Sequence, residues 1–244
     1  MKTSGNTVLI TGGGSGIGLA LAELMLARDN HVIICGRGRG RLQAAKRRLP
    51  GLDIRACDIS KPRSRGALVA WLTSHFKGLN ILVNNAGIQR PVDFLRGIHH
   101  LRDADQEVAT NLTAPLHLSA LLIPHLRRKK EAAIVNISSG LAFTPLAAVP
   151  VYCATKAAIH SWSLCLRHQL RGTSVRVFEV APPMVATELS GSRHRPEEDE
   201  DMMTAQAVAS GILDALKRNQ YEAALGAAAH LKAKREALFI LINE

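Results

Sequence analysis

The sequence predicts an α/β protein with a doubly wound parallel sheet that carries helices on both faces. Short apolar, β-branched runs alternate with segments of helical periodicity, which is the pattern of repeated βαβ units. The runs are almost continuously apolar, as expected for strands that are covered on both faces of a sheet. The chain has 244 residues, of which 47% are hydrophobic and 21% charged. This length and composition predict a single domain that spans residues 1–244.

The order of the predicted elements follows the chain. A helix-forming stretch, Leu19–Ala27, comes after the first strand. Periodicity stops at Ser190–Asp201, where glycine, proline and an acidic run predict a surface loop. The six predicted strands are Thr7–Thr11, His31–Cys35, Asp53–Cys57, Ile81–Val83, Ala133–Ile137 and Ser174–Val180.

Composition argues against several classes of protein. No apolar run reaches the roughly 18 residues of a membrane span, and Met1–Asn6 is polar, so we expect a soluble cytoplasmic protein with no membrane partner. The 4 cysteines show no Cys-x-x-Cys pair, and we expect no metal site. The net charge of +11 suits nucleic acid, but only 4% of residues are aromatic and the basic residues are scattered. We therefore expect no nucleic-acid partner.

A glycine-rich turn, Thr11–Gly18, follows the first predicted strand. Glycines let the backbone approach a pyrophosphate, whose charge is received by the N–H groups that begin the next helix. The spacing differs from the common G-x-G-x-x-G pattern, because the glycines that match are Gly12, Gly16 and Gly18. The turn predicts a dinucleotide site, although a tight turn without a ligand has a similar composition.

The end of the second predicted strand indicates which dinucleotide is bound. A carboxylate at this place contacts the ribose 2′-hydroxyl of NAD, whereas an arginine suits the 2′-phosphate of NADP. The segment from Asn30 to Pro50 contains no acidic residue, and Arg37, Arg39 and Arg41 crowd the end of the strand. We therefore expect NADP(H) rather than NAD(H), with Arg37 as the best candidate; the alternative is that these arginines only solvate a loop.

Other polar residues follow the later strands. Asp58 and Ile59 come after the third strand, Asn84–Gly87 after the fourth, and Ser138 and Ser139 after the fifth. Ligands of doubly wound sheets bind at the carboxyl ends of the strands, so the first two loops are candidates for the adenine and ribose path. Alone, each loop would be an ordinary turn.

Tyr152 and Lys156 lie four residues apart in a predicted helix, and therefore near the same face. A nearby cation favours a phenolate and lowers the pKa of a tyrosine from its ordinary value of about 10. Such a phenol can protonate a carbonyl oxygen, and a serine hydroxyl can bind the same oxygen. In isolation, however, this pair is usually a surface feature.

Together these motifs resemble the classical short-chain dehydrogenase/reductase family in their order and spacing. The motifs are Thr11–Gly18, Asn84–Gly87, Ser139, Tyr152 and Lys156. The resemblance covers about Met1–Leu189 and implies a Rossmann-type domain, a nicotinamide cofactor and interconversion of an alcohol and a carbonyl. Within the family, Asn84–Gln89 and Ala181–Pro183 resemble the bacterial subgroup named for D-alanine esterification of teichoic acids.

The resemblance also implies roles for individual residues. Tyr152 is the expected general acid/base, and Lys156 lowers its pKa and holds the nicotinamide ribose. Ser139 orients the carbonyl, since it stands at the family's distance from Tyr152 and Ser138 is one residue too far. Asn111 matches an asparagine that supports a water relay to the lysine, the alternative being an asparagine that only marks a helix kink.

The same resemblance implies a set of cofactor-binding residues. This sequence departs from the family pattern at one place after the sixth strand, where Pro183 replaces a glycine of the family. The proline fixes φ and removes an N–H donor. A stiffer wall on the substrate side is expected. Besides Tyr152 and Lys156, the set comprises Gly12, Ser15, Gly16, Ile17, Gly18, Arg37, Asp58, Ile59, Asn85, Ala86, Gly87, Pro182, Val185 and Thr187.

These inferences predict an NADPH-dependent reductase of a ketone or aldehyde, with a small carbonyl or alcohol compound as substrate. The alternative is a cofactor-binding sensor or scaffold without turnover. Residues 190–203 resemble the family's variable substrate lid, and Phe94, Leu141, Phe143 and Met184 are expected to line the pocket. The family commonly forms dimers or tetramers through long helices, which here are predicted at Asp103–Leu126 and Val151–Arg171.

Overall fold

The strands of the sheet lie parallel, with β4 at the centre of the sheet and β1 beside it. A computed structural model describes residues 1–101, 103–187, 189 and 202–244. The strands within these ranges are β1 (Thr7–Thr11), β2 (His31–Gly36), β3 (Asp53–Ala56), β4 (Leu79–Asn84), β5 (Ala132–Ile137), β6 (Val175–Ala181) and β7 (Glu222–Ala224). Their order across the sheet is β3-β2-β1-β4-β5-β6-β7, and each neighbouring pair is parallel.

Helices cover both faces of this sheet. They are α1 (Gly16–Leu26), α2 (Arg39–Arg48), α3 (Pro62–His75), α4 (Ala104–Val108), α5 (Ala114–Leu126), α6 (Pro150–Leu170), α7 (Ala205–Arg218) and α8 (Ala227–Lys234). Along β1, Val8 and Ile10 pack into one apolar core with α1 and α7, while Leu9 packs into a second core with α3, α5 and α6. The alternation follows from the two-residue period of a strand. Within the described ranges, none of the helices combines the length and the apolarity that crossing a bilayer requires.

The predicted doubly wound sheet and its six strands are confirmed, with ends that differ by no more than two residues. The structure adds β7, which has only 3 residues and lacks a β-branched run. The predicted helix Asp103–Leu126 is divided into α4 and α5 by a π-helical turn at Ala109–Thr113. The predicted surface loop Ser190–Asp201, and with it most of the predicted lid at 190–203, lies outside the described residues.

Candidate active site

The glycine turn after β1 passes close to the loop after β4. Gly12 has φ 66°, a left-handed conformation that favours glycine, and a Cβ on it would lie 2.8 Å from the Cα of Ala86. A Cβ on Gly18 would lie 2.6 Å from the Asn85 Nδ2 atom. The chain therefore needs glycine at both places, because any side chain would push the two loops apart.

The amino-terminal end of α1 is suited to an anion. Its N-cap residue, Ser15, makes no capping hydrogen bond with its side chain, and the first turn contains no acidic residue. The first N–H groups of a helix lack partners within the helix and carry partial positive charge. The turn and the helix end thus fit the pyrophosphate of a dinucleotide, and the contacts predicted for Gly12, Ser15, Gly16, Ile17 and Gly18 stay a prediction.

Thr11 fastens the loop after β4 to the glycine turn. Its Oγ1 atom accepts hydrogen bonds from the backbone N–H groups of Asn85 and Ala86, each at 3.0 Å, and donates to the Val83 carbonyl at 3.2 Å. The Asn85 Nδ2 atom donates to the Thr11 carbonyl at 2.8 Å. Sequence reasoning named Thr11 only as the start of the motif, and the structure shows that its hydroxyl organises the site.

The residues predicted to contact the adenosine lie along the same edge of the sheet. Arg37 is exposed immediately after β2. Asp58 accepts two hydrogen bonds from Ser60 on one carboxylate oxygen, which shapes the loop after β3. Ile59 is buried, and its carbonyl accepts a hydrogen bond from Arg65 at 2.6 Å. The structure therefore brings these residues to the predicted edge, and their contacts with a nucleotide stay a prediction.

Ser139 and Tyr152 meet at the end of β5. The Ser139 Oγ atom accepts a hydrogen bond from the Leu141 N–H at 3.1 Å, which leaves its proton available for the Tyr152 phenol. Ser138 faces the Val180 carbonyl on β6 instead, at 3.5 Å. Burial raises the pKa of Tyr152 to about 12, and the hydrogen bond from Ser139 offsets part of that rise. The phenol thus holds its proton at neutral pH and is a proton donor in this state.

Lys156 lies one turn beyond Tyr152 on α6. Its Nζ atom is 5.5 Å from the centre of the Tyr152 ring and donates to the Ile137 carbonyl at 2.7 Å. Burial lowers the pKa of Lys156 to about 8, and the negative charge of Glu179 opposes that change. The two predicted catalytic side chains are therefore close together. That the ammonium lowers the pKa of Tyr152 stays a prediction, since burial outweighs every other influence on the phenol here.

Asn111 occupies the π-helical turn between α4 and α5. Its Oδ1 atom accepts from the Ile88 N–H at 2.9 Å, and its Nδ2 atom donates to the Ile88 carbonyl at 2.8 Å. A Cβ on Gly87 would lie 3.6 Å from Asn111 Oδ1 and 3.8 Å from Lys156 Nζ. The glycine thus preserves a small space that both polar atoms border, and the water relay stays a prediction. π-Helical turns of this kind are frequent at functional sites.

The segment after β6 runs from the loop after β5 to the start of α1. The carbonyl of Pro182 accepts a hydrogen bond from the Gly140 N–H at 2.9 Å. Thr187 lies beside the glycine turn, with its Cγ2 atom 3.1 Å from where a Cβ on Gly16 would be. Val185 pairs with Met203 in an isolated bridge. Pro182, Val185 and Thr187 therefore lie in the segment that follows β6, and their contacts with a cofactor stay a prediction.

Phe143 does not lie in the substrate pocket, where the sequence predicts it to lie. Phe143 is 4% exposed, and its ring packs edge-on against the ring of His160 at 4.8 Å between centroids. Lys232 lies over the same ring at 5.8 Å. The prediction that Phe143 lines the substrate pocket is wrong, because the loop after β5 turns this ring toward α6 and α8 rather than toward the site.

Two buried carboxylates near the site were missed by sequence reasoning. Both carboxylate oxygens of Glu107 on α4 are buried, and burial raises its pKa to about 7 against the lowering effects of the Arg90 charge and backbone N–H. Its charge also raises the pKa of Tyr152. Glu179 on β6 is fully buried. The sequence position of each residue was the available signal. Glu179 is an acidic residue inside an otherwise apolar strand, and Glu107 is an acidic residue next to a helix turn of the predicted active site.

Comparison with known sequences points in the same direction. Residues 6–198 match the family model described as short chain dehydrogenase. A Bacillus subtilis (strain 168) protein named "Uncharacterized oxidoreductase DltE" is 50% identical over 227 residues, which cover 91% of this chain and 88% of that protein. An Escherichia coli O6:H1 protein named "NADP-dependent 3-hydroxy acid dehydrogenase YdfG" is 30% identical over 82% of this chain and 81% of its own length.

Solved structures share the fold. A short-chain dehydrogenase from Sphingobium yanoikuyae in complex with NADPH superposes with a TM-score of 0.81 at 28% identity, covering 93% of this chain and 91% of that one. A short chain dehydrogenase from Burkholderia cenocepacia J2315 in complex with NADP gives a TM-score of 0.83 at 26% identity, with coverage of 96% and 94%.

Proposed function

Because this chain belongs to the short-chain dehydrogenase family and is therefore an oxidoreductase, we propose that it reduces a ketone or aldehyde to an alcohol with NADPH. The observation that carries the proposal is the convergence of Ser139, Tyr152 and Lys156 at the edge of the sheet where the glycine turn lies. Other parts of the fold would serve a binding protein equally well, but this arrangement has a use only in proton transfer.

The residues of this edge fit a nicotinamide dinucleotide. The glycine turn and the start of α1 would receive the pyrophosphate, and Arg37 is the residue that would meet a 2′-phosphate. The solved relatives that bind NADPH or NADP support the same cofactor here, and NAD(H) is the second choice. When bound, the nicotinamide supplies a hydride to the carbonyl carbon.

This chain's own side chains manage the proton. Ser139 holds the carbonyl oxygen through its hydroxyl, and Tyr152 gives the proton of its phenol to that oxygen as negative charge develops there. Lys156 steadies the phenolate that remains, because its ammonium lies 5.5 Å from the ring. The space beside Gly87, which Asn111 and Lys156 border, is the route by which a proton returns.

Two rival functions make different demands on these residues. A cofactor-bound sensor or scaffold needs the glycine turn but not Ser139, Tyr152 and Lys156 together. A nucleic-acid-binding protein would use the net charge of +11 and lose affinity steeply with salt. We favour the reductase because all three catalytic groups are buried at one place, where retaining them without a reaction would only cost stability.

The test is the consumption of NADPH in the presence of a panel of ketones and aldehydes. We expect the wild-type protein to turn over at least one of them, and Tyr152→Phe to lower kcat by about 10²- to 10⁴-fold, the range for loss of a general acid. Cofactor affinity, measured by NADPH fluorescence, should remain near the wild-type value. Tyr221→Phe is the matched control, because Tyr221 is 40% exposed on the far side of β6 and should not affect kcat.

Binding of NADPH without turnover of any carbonyl would contradict the reductase and support the sensor. Equal activity of Tyr152→Phe and wild type would show that another group supplies the proton.

We also propose that the chain forms a homodimer or homotetramer through α4, α5 and α6. Val108, Leu121 and Leu164 on these helices are 38%, 47% and 43% exposed, and a partner that packs on these helices would cover them. Light scattering should give two or four times the mass of 26.3 kDa; a monomeric mass at micromolar concentration would contradict the proposal. The cytoplasmic location stays a prediction.

A further inference from the structure

A row of polar side chains crosses the sheet beneath α6. Asn84, Asn136, Glu179 and Glu222 stand at the same register on β4, β5, β6 and β7. Asn84 and Asn136 are joined by a hydrogen bond of 2.9 Å. Because strand neighbours in register share a face, the row lies on one face of the sheet, where Asn136 and Glu179 at its centre contact Ser163 and His160 of α6. Such a row in an otherwise apolar layer is costly, and therefore requires an explanation.

Glu179 is the residue of the row that is hardest to bury. It is 0% exposed, and its Oε1 atom has no hydrogen-bond partner. Its other oxygen, Oε2, lies 2.9 Å from Nδ1 of His160. His160 is itself fixed by edge-on packing against the Phe143 ring. A carboxylate without further compensation is strongly disfavoured at such a place, so positive charge must lie nearby.

That positive charge is Lys156. His160 follows Lys156 by four residues on α6, so the two side chains lie on one face of the helix, and His160 contacts the Glu179 carboxylate. The Lys156 Nζ atom has its hydrogen-bond acceptor, the Ile137 carbonyl, on the strand next to Glu179. Burial lowers the pKa of Lys156, and Glu179 is the group that raises it.

We propose that the buried Glu179 carboxylate, held in place by His160, is the counter-ion of the Lys156 ammonium and thereby a positioning residue for the Tyr152–Lys156 pair. The two charges compensate each other's burial, and the lysine stays protonated where an isolated buried amine would become neutral. Its consequence for catalysis rests on the proposed reductase function, whereas its electrostatic content does not.

The other charged groups around Glu179 have their own partners. Glu222 is bonded to the Lys232 ammonium of α8, and this contact lowers the pKa of Glu222. Arg167, further along α6, donates to the Val177 and Tyr221 carbonyls. Glu222 is thus neutralised by Lys232, whereas Lys156 is the cation on α6 whose pKa Glu179 raises.

A divalent metal ion is the rival explanation of this cluster. One ligand atom each from His160, Glu179 and Glu222 lies within 4.8 Å of the others. The ammonium of Lys232 already neutralises Glu222, however, and would have to leave before a cation could take its place. The geometry favours the counter-ion over the metal site, and a titration with Zn²⁺ distinguishes the two.

The experiment follows Lys156 directly, by NMR titration of protein labelled with ¹³C at the lysine ε-carbon, with the signal assigned by its absence in Lys156→Arg. We expect Glu179→Gln to lower the titration midpoint by about one pH unit or more, the usual effect of an opposite charge at short range. Glu179→Asp keeps the charge and should return most of the shift. Glu222→Gln is the matched control from the adjacent strand and should leave the midpoint unchanged.

An unchanged midpoint in Glu179→Gln, or an equal shift in Glu222→Gln, would overturn the proposal. Circular dichroism verifies folding, and Glu179→Leu, which fills the site with apolar atoms, serves if the glutamine variant is unstable. Calorimetric titration with Zn²⁺ should show no binding; tight binding that is lost in both glutamate variants would replace the counter-ion by a metal site.

Activity measurements then distinguish the counter-ion proposal from the proposed reductase function. The alkaline limit of kcat should move to lower pH in Glu179→Gln, because Lys156 loses its charge earlier. A wild-type protein that never turns over, but whose lysine midpoint still depends on Glu179, would defeat the reductase alone.

Discussion

The two halves of the sheet make their binding sites in different ways. On the side of β1 to β4, the site is made of backbone: glycines without side chains, the free N–H groups that begin α1, and one hydroxyl, that of Thr11. On the side of β5 to β7, it is made of buried polar side chains such as Ser139, Tyr152 and Lys156. The first half recognises shape and charge, and the second controls protons. Mutations in the first should therefore change affinity, and mutations in the second should change rate and pH dependence.

The sharpest test of this contrast is Ser139→Ala. We expect kcat to fall by about 10²- to 10³-fold, as on removal of one donor to a developing oxyanion, while the Kd for NADPH stays within about twofold because Ser139 is not part of the glycine turn. Ser138→Ala is the matched control, since Ser138 faces the Val180 carbonyl and its loss should leave kcat nearly intact. Steady-state kinetics and fluorescence titration measure both quantities. A parallel loss of affinity in Ser139→Ala would break the contrast.

The reverse result is expected for Gly18→Ala. The new Cβ would lie 2.6 Å from both Asn85 Nδ2 and the Gly12 carbonyl, and overpacking of this kind costs roughly 1–3 kcal/mol. We expect NADPH affinity to fall about 10- to 100-fold, with kcat at saturating cofactor much less affected. Gly66→Ala is the control, because a Cβ there meets nothing within 4 Å. If both variants bind NADPH equally well, the turn does not hold the cofactor.

Arg37→Ala tests a side chain on the side of β1 to β4, where the site is otherwise made mostly of backbone. An exposed arginine on a 2′-phosphate contributes at the lower end of a charge-assisted hydrogen bond, so we expect about a tenfold weaker Kd for NADPH and no change for NADH. Arg47→Ala, an exposed arginine at the far end of α2, is the control for general charge loss. Equal losses for the two cofactors would show that Arg37 does not select between them.

The smallest expected effect is on the pH dependence of stability, and it comes from the buried carboxyl group of Glu107. Its folded-state pKa of about 7 lies above the ordinary value of 4.5, so the folded protein binds the proton more tightly and loses stability as pH rises between these values. Glu107→Gln removes that dependence. We expect its Tm to exceed the wild-type Tm by a few degrees at pH 8, and the difference to disappear at pH 5.

Scanning calorimetry at the two pH values measures this difference. Asp105→Asn, an exposed carboxylate on the same helix, should show no such change with pH. A wild-type protein that is relatively more stable at pH 8 than the glutamine variant would mean that Glu107 is stabilised as an anion.

Local sequence was sufficient for much of the fold and part of the site. Continuous apolar strands, the turn at Thr11–Gly18 and the spacing of Tyr152 and Lys156 each depend on neighbours within one element, and each was found where predicted. The short strand β7 escaped prediction because 3 residues carry no period of their own. Its place in the sheet depends on pairing with β6, a contact distant in sequence.

What the sequence by itself determined is the alternation of strands and helices, the glycines that permit close backbone approach, and the identity of the residues that can exchange a proton. Tertiary structure alone decided how deeply those residues are buried. Burial shifts the proton affinities of Tyr152, Lys156 and Glu107, and it brings Glu179 beneath α6. Solvation is lost through packing of the whole sheet against its helices, and no short segment of sequence specifies that loss.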